Sequence, residues 1–390
     1  MRIGKPMITK LPRRDWLKLV GYGAGAALLV KQGTGCSYYS AERGEAYAPW
    51  NFPEGENRPE MVSARAAILA ANPHNSQPWA LHVTESGIDL HADFTRNLGT
   101  TDSLLRELHI GLGCALENLV IAAQASGRTA DVQLLPDAAD PSLVASVSLT
   151  PSTPSKGALF DAIAHRHTNR GRYANAPPAA GLSAALTALI TEPAIELRFL
   201  ASDADKASFR TSTIDATNAF INDAEMSRDS NSWYRQSADD ILQHRDGITL
   251  DASGNGAATR FFGKSLGRPS DATANSYWLD GTSGAQTTAS AFCILSSPAA
   301  NGRNDQLHVG RVYQRLHLWA VSQGLAAQPL NQMAEMQDRE ETKGLPPKFA
   351  KRLNDLMGAS DRRAQMLFRI GYPWDEALKS PRRPVDWVLL

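Results

Sequence analysis

Apolar residues along the chain return at two distinct periods. Leu104, Leu108, Leu112, Leu116, Leu119 and Ala123 recur every three or four positions, and Gly127 follows them. That spacing is one face of an α-helix closed by a glycine cap, and it predicts a long helix over 103–126. A second helical stretch over 308–323 ends at Gly324, and a shorter one runs from Met61 to Ala71, where Pro73 forbids its continuation. Leu81-His-Val83 and Ile88-Asp-Leu90 alternate around Glu85-Ser86-Gly87 and predict a hairpin. Further strands are expected over 132–135, 144–149, 195–199 and 291–295. Between 225 and 290 neither period holds. The segment is rich in Gly, Ser and Asp, with aromatic pairs at Trp233-Tyr234, Phe261-Phe262 and Tyr277-Trp278. A stretch of that length inside a compact domain reads as a loop that serves as a lid.

An internal echo organises these elements. Leu108-His109-Ile110-Gly111 lies at the start of one long helix and Leu307-His308-Val309-Gly310 at the start of the other. The Pro/Ser stretch from Pro151 to Lys156 parts the two series. The chain is therefore read as an arm or linker (37–60), a first half (61–150) and a second half (157–390) that carries the lid (225–290). The fold class is α+β, with the two long helices meeting at the centre.

Composition narrows the function. Forty basic residues balance forty acidic ones, so no nucleic-acid partner is expected. Cys36, Cys114 and Cys293 are the three cysteines, too few for a disulfide framework or a cysteine-rich metal site. Arg13-Arg14-Asp-Trp16-Leu17-Lys18 precedes a mild apolar run from Leu19 to Val30. This resembles a twin-arginine export signal over 1–36, with Pro12 and Trp16 departing from the usual core. An amphipathic basic helix is the alternative. Cleavage after Ala48 and lipidation of Cys36 both stay open.

Three motifs carry a family resemblance. Asn72-Pro73-His74-Asn75-Ser76-Gln77-Pro78-Trp79 resembles the N-S-Q-P-W turn of nitroreductases. Arg166-His167-Thr168-Asn169-Arg170 is similar to their flavin-phosphate motif. The stretch from Gly324 to Gln332, with Arg369-Ile-Gly371-Tyr-Pro373 and Ser380-Pro381-Arg382-Arg383-Pro384, resembles the segment that lines the flavin edge and closes on the phosphate. N-S-Q-P-W comes first here, the reverse of an ordinary nitroreductase. That order resembles the Acg-like branch of the nitroreductase-like superfamily, in which two halves fused as an intramolecular pseudo-dimer replace the usual homodimer. Asp93, Arg96 and Leu98 also fit that branch.

The resemblance implies FMN as cofactor, and the residue types suit it. Arg166 and Arg170, four apart, can clamp a phosphate dianion with forked guanidiniums, and Arg382 or Arg383 would add a third charge. His167 and Thr168 offer polar atoms to phosphate or ribityl oxygens. By resemblance, Asn72, Pro73 and Asn75 reach the flavin from the first half, and Asn331 and Gln332 lie at its N5 edge. Each half supplies what the other lacks, so one FMN per monomeric chain is expected. No catalytic acid or base and no metal is assigned, because the flavin carries the chemistry. The implied activity is electron transfer to a small acceptor such as a nitro compound or quinone. The donor is undetermined, NAD(P)H if the chain works in the cytoplasm. The other reading is an FMN store closed by its lid. The signal implies export by the twin-arginine machinery to the periplasm, or to a membrane anchor facing outward.

Overall fold

The computed structural model describes residues 43–264, 266–300 and 302–390. The export-signal reading over 1–36, with Cys36, and the first residues of the arm lie outside the described residues.

Two four-stranded antiparallel sheets flank a central helix pair. The first holds β1 (Trp79–Thr84), β2 (Gly87–Ala92), β3 (Arg128–Leu134) and β4 (Leu143–Pro151), in the order β1-β2-β4-β3. The short strands β6 (Tyr234–Arg235) and β7 (Ile248–Thr249) pair only with each other. The second sheet holds β5 (Glu196–Leu200), β8 (Ala291–Pro298), β9 (Ala326–Pro329) and β10 (Arg362–Gly371), in the order β5-β8-β10-β9. The expected α+β class is what the chain adopts, and its two larger sheets share one strand order.

The helices are α1 (Pro59–Ala67), α2 (Arg106–Ala125), α3 (Ala158–Ala162), α4 (Leu182–Thr187), α5 (Asp203–Asn222), α6 (Ala224–Asn231), α7 (Ala238–His244), α8 (Ala257–Lys264), α9 (Asp271–Gly281), α10 (Arg303–Ser322), α11 (Gln332–Lys343) and α12 (Lys348–Met357). The two long helices with the echoed motif, α2 and α10, cross in direct contact. A Cβ on Gly310 would lie 2.1 Å from the Ile110 carbonyl oxygen, and one on Gly113 would lie 2.1 Å from that of Leu307. Only glycine permits that approach at either position. Around the crossing, Asn118 accepts from Gln314 at 2.7 Å, and Glu117 pairs with Arg311 and Arg315 at 2.9 and 2.8 Å. Helix α2 begins later than expected, because Leu105 sits in the left-handed region at φ 55° and Asp102 takes the N–H groups of Glu107 and Leu108.

One core runs through both halves, joining Leu112 and Val147 of the first to Leu307, Leu295 and Phe368 of the second. A second cluster covers the far face of the second sheet, where Phe209 stacks on Phe292 at 4.3 Å and Met333, Phe349 and Leu367 fill the space. Strand β8 is therefore buried on both faces along most of its length, which is why its sequence is a run and not an alternation. The end of the chain leaves the second half and joins the first sheet. Leu81 donates to Val388 O at 2.7 Å, and Leu390 donates back to Leu81 O at 2.9 Å.

The expectation of a long loop over 225–290 is corrected. The segment holds α6 to α9 and a π-helical turn, Thr282–Gln286. Side chains of Asp223, Ser237 and Ser270 cap α6, α7 and α9. Caps of this kind start short helices whose apolar periodicity is too weak to read. Nor do the aromatic pairs dock whole. Trp278 meets Phe220 edge-on at 5.0 Å, whereas Phe261 and Tyr277 are exposed.

Candidate functional site

The motif turn at 72–79 forms where α1 stops. His74, Asn75 and Gln77 all take positive φ, 48°, 56° and 54°. Three such non-glycine residues in four positions cost conformational energy and mark a turn held by its surroundings. The surroundings are visible. Asn72 Oδ1 accepts from the Gln77 N–H at 2.8 Å, and Asn75 Nδ2 donates to Gly247 O and Pro381 O at 3.2 and 2.9 Å. Gln77 Nε2 donates to Arg245 O at 2.8 Å. The turn thus ties α1, the 225–290 segment and the C-terminal tail together.

Beside it lie two cavities that share Ala71, Asn72, Thr168 and Arg170 in their walls, one of about 330 Å³ and one of about 30 Å³. The small one is a cationic pit. Arg166 and Arg382 are 2% and 3% exposed, and Arg170 closes the side toward the large cavity. Among the described residues no carboxylate lies within 4.0 Å of any of the three. Arg166 Nη2 donates to Leu69 O at 3.0 Å, while its Nε and Nη1 meet no acceptor. Arg382 holds Asn75 Oδ1 and lies 4.7 Å over the Trp50 ring, and its Nε is also without a partner. Arg170 Nη1 donates to Ala252 O at 2.9 Å.

Burial pushes all three guanidiniums below their usual range, and neighbouring arginine charge adds to it at Arg166 and Arg382. The same surroundings hold His167 neutral: burial first, then Arg166 and Arg382, push it well below its ordinary value. Buried cations are normally paired. Three that converge without a carboxylate, with donors left over, make a site for a small polyvalent anion.

The large cavity is mixed in character. The buried polar atoms Tyr313 Oη, Gln328 Oε1 and Gln332 Oε1 belong to wall residues and have no hydrogen-bond partner. Asn331 precedes α11 and is held by its own contact, its Oδ1 accepting from the Leu367 N–H at 2.9 Å. Apolar wall comes from Ile110, Leu250, Trp278 and Met366. Much of the remaining wall, from Ser230 to Gln286, belongs to the 225–290 segment. A flat ring system with polar edges fits such a space, and its volume lies in the range of small-ligand pockets.

Of the residues singled out from sequence, Arg166, His167, Thr168, Arg170, Asn72, Asn75 and Arg382 line the small pit, and Pro73, Asn331 and Gln332 line the large cavity. Arg383 does not join them. Its backbone N–H donates to Gln77 Oε1 and its side chain to Gln77 O and Trp387 O, so it locks the tail instead. Sequence reasoning missed Trp50 in the pit and Glu107, Tyr313 and Glu335 in the cavity, while Ser380 and Gln328 fall within the motif stretches without having been singled out. Trp50 lies in the arm, where its Nε1 donates to Ser380 O at 2.8 Å. The one readable signal was Glu107, a charge placed on an apolar helix face.

No family model matches the chain. It is similar to a Mycobacterium tuberculosis H37Rv protein provisionally named NAD(P)H nitroreductase Rv3131, at 26% identity over 355 residues, 89% of this chain and 95% of that one. A second protein of that strain, provisionally named NAD(P)H nitroreductase acg, is 31% identical over 144 residues, 36% of this chain and 44% of its own. Among solved structures, the FMN-dependent nitroreductase NfnB from Mycobacterium smegmatis in complex with NADPH superposes with TM-score 0.37 and 15% identity, over 59% of this chain and 96% of that one. A Bacteroides fragilis nitroreductase with bound FMN gives 0.36 and 11%, over 59% and 95%.

Proposed function

We propose that this chain is an FMN-dependent oxidoreductase of nitroreductase type, holding one FMN at the junction of its halves. The observation that carries the reading is the pit of two buried arginines and the half-buried Arg170 without a carboxylate, opening on a cavity of about 330 Å³. The phosphate would be taken by Arg166, Arg170 and Arg382, with Asn72, Asn75, His167 and Thr168 within the same walls. The isoalloxazine would occupy the large cavity against Asn331, Gln332 and Pro73. When bound, FMN supplies electron-pair transfer through its N5. The protein positions the ring, excludes water and fixes the charge around it. The relative that matches over 89% of the chain supports the same reading. The electrons would pass to a small acceptor such as a nitro compound or quinone, with NAD(P)H as donor if the chain works in the cytoplasm. Export by a twin-arginine route would carry the folded chain with its flavin in place.

The test is a visible spectrum of the purified protein with a flavin titration. One equivalent of FMN per chain is expected, bleached by NADPH and restored by a quinone. A chain that takes up no FMN refutes the proposal. A second reading rests on the wall contributed by the 225–290 segment. If that segment stays closed as a lid, the chain is an FMN store, and its flavin will bleach with dithionite but not turn over with NADPH.

A further inference from the structure

The cavity wall contains two carboxyl groups that face each other. Glu107, in the first turn of α2, and Glu335, in the first turn of α11, are 6% and 7% exposed and line the same cavity. Two carboxyls buried in one wall cannot both stay ionised unless cations compensate each of them.

The neighbours decide which. Glu107 has Arg106 Nη2 at 3.3 Å. Glu335 has no cation within 4.0 Å among the described residues. The other charges facing the pair are already engaged. Asp338 takes Arg106 Nε and Arg363 Nη2, each at 2.7 Å, and Asp102 takes the two backbone N–H groups at the start of α2. Four buried carboxyls thus meet two guanidiniums, both of which are bound to Asp338. One turn back from Glu335, Gln332 is 5% exposed with its Oε1 unpartnered at the same wall, a second sign that this wall awaits a ligand.

We propose that Glu335, the buried carboxyl of this wall without a cation, is the proton donor to a small acceptor reduced in this cavity, an inference that rests on the oxidoreductase reading above. A quinone gains two electrons and two protons. With FMN bound, the flavin would supply the hydride equivalent, and Glu335 would supply the second proton. Its O–H bond breaks, the acceptor oxygen gains the hydrogen, and the Glu335 carboxylate recovers a proton from water. Consistent with this, burial first and the Glu107 charge next push the Glu335 carboxyl well above its usual range. Burial, then Glu107, lifts Asp102 to about 7.

Infrared spectroscopy tests the proton without reference to turnover. Beyond the component that Asp102→Asn removes, the flavin-loaded protein at pH 7 should show the carbonyl stretch of an un-ionised carboxyl, shifted in D₂O and lost in Glu335→Gln. It should persist in Glu107→Gln. Absence of the band, its survival in Glu335→Gln, or its loss in Glu107→Gln would overturn the assignment. The kinetic arm compares a quinone with ferricyanide, which accepts electrons without protons. The ratio of quinone to ferricyanide turnover should fall on the order of 100-fold in Glu335→Gln, and an unchanged ratio would overturn the donor role. If the chain binds no flavin, the oxidoreductase reading fails, and the same infrared measurement on the flavin-free chain still tests the protonated carboxyl.

Discussion

The cationic pit makes a prediction with two opposite signs. Arg166→Met keeps most of the apolar stem and removes the charge. In the ligand-free chain, Arg166 is 2% exposed, makes a single hydrogen bond to Leu69 O at 3.0 Å, and faces other arginines. Its removal relieves a buried, uncompensated cation at the cost of that one bond, so the ligand-free variant should be as stable as the parent or more stable by about 1–3 kcal/mol. With FMN the balance reverses. Losing charge-assisted bonds to the phosphate should cost about 2–3 kcal/mol, or about 30- to 150-fold in affinity. Riboflavin has the ring but no phosphate, so its affinity should barely move. Titrating the ligand-free protein with both flavins isolates the phosphate contribution, and denaturant unfolding reads the stability. The preference for FMN over riboflavin should collapse by the same factor of about 30 to 150. An unchanged preference would refute the assignment. So would a ligand-free variant destabilised by more than about 2 kcal/mol, since Arg166 would then be a structural residue.

Gly310→Val forces side-chain carbons to within 2.1 Å of the Ile110 carbonyl oxygen, so it should cost at least about 3 kcal/mol and lower the thermal midpoint clearly; a wild-type midpoint would mean the helices do not cross there. Trp278→Ala removes the edge contact that seats α9 on Phe220. It should leave flavin content intact while lowering KM for bulky acceptors, and a loss of flavin instead would show that Trp278 supports the ring and not the cover. His109 is pushed down to about 4, mainly by burial. A lowered histidine value gives stability that is complete above about 6.5 and lost as pH falls toward 4. The unfolding midpoint should therefore drop across that window, and His109→Gln should show a smaller drop than the parent.

Much of this architecture was legible because it rests on long periods. The leucine spacing of α2 and the echo at Leu307-His308-Val309-Gly310 reported the helix pair within a few residues. The alternation at Leu81 and Ile88 reported the hairpin. The helices at 203–222 and 271–281 were not legible: their polar and apolar positions hardly segregate, and their starts are set by single capping side chains. In the site, the arginine spacing and the N-S-Q-P-W turn marked the pit. Arg382 and Arg383 are adjacent and chemically alike, yet in the fold one turns inward to Asn75 and the other holds Gln77. Glu335 could not be paired with Glu107 from sequence, since their meeting depends on how two helices from different halves pack.

The crossing of α2 and α10 also bears on how such a chain can diversify. In a symmetric pair of identical chains every contact occurs twice, and every substitution is felt at both copies. Here the position matching Gly113 in the other helix is Val312, and the one matching Gly310 is Gly111. The tight contact is made once, between Gly113 and Gly310. Its would-be twin, Gly111, lies against Pro73 and Asn72, where an added Cβ would fall 3.1 and 3.2 Å from them. One glycine of the repeat therefore serves helix packing, while its counterpart makes room for the turn beside the cavity. A covalent link between the halves frees each copy of the motif to drift under its own constraint.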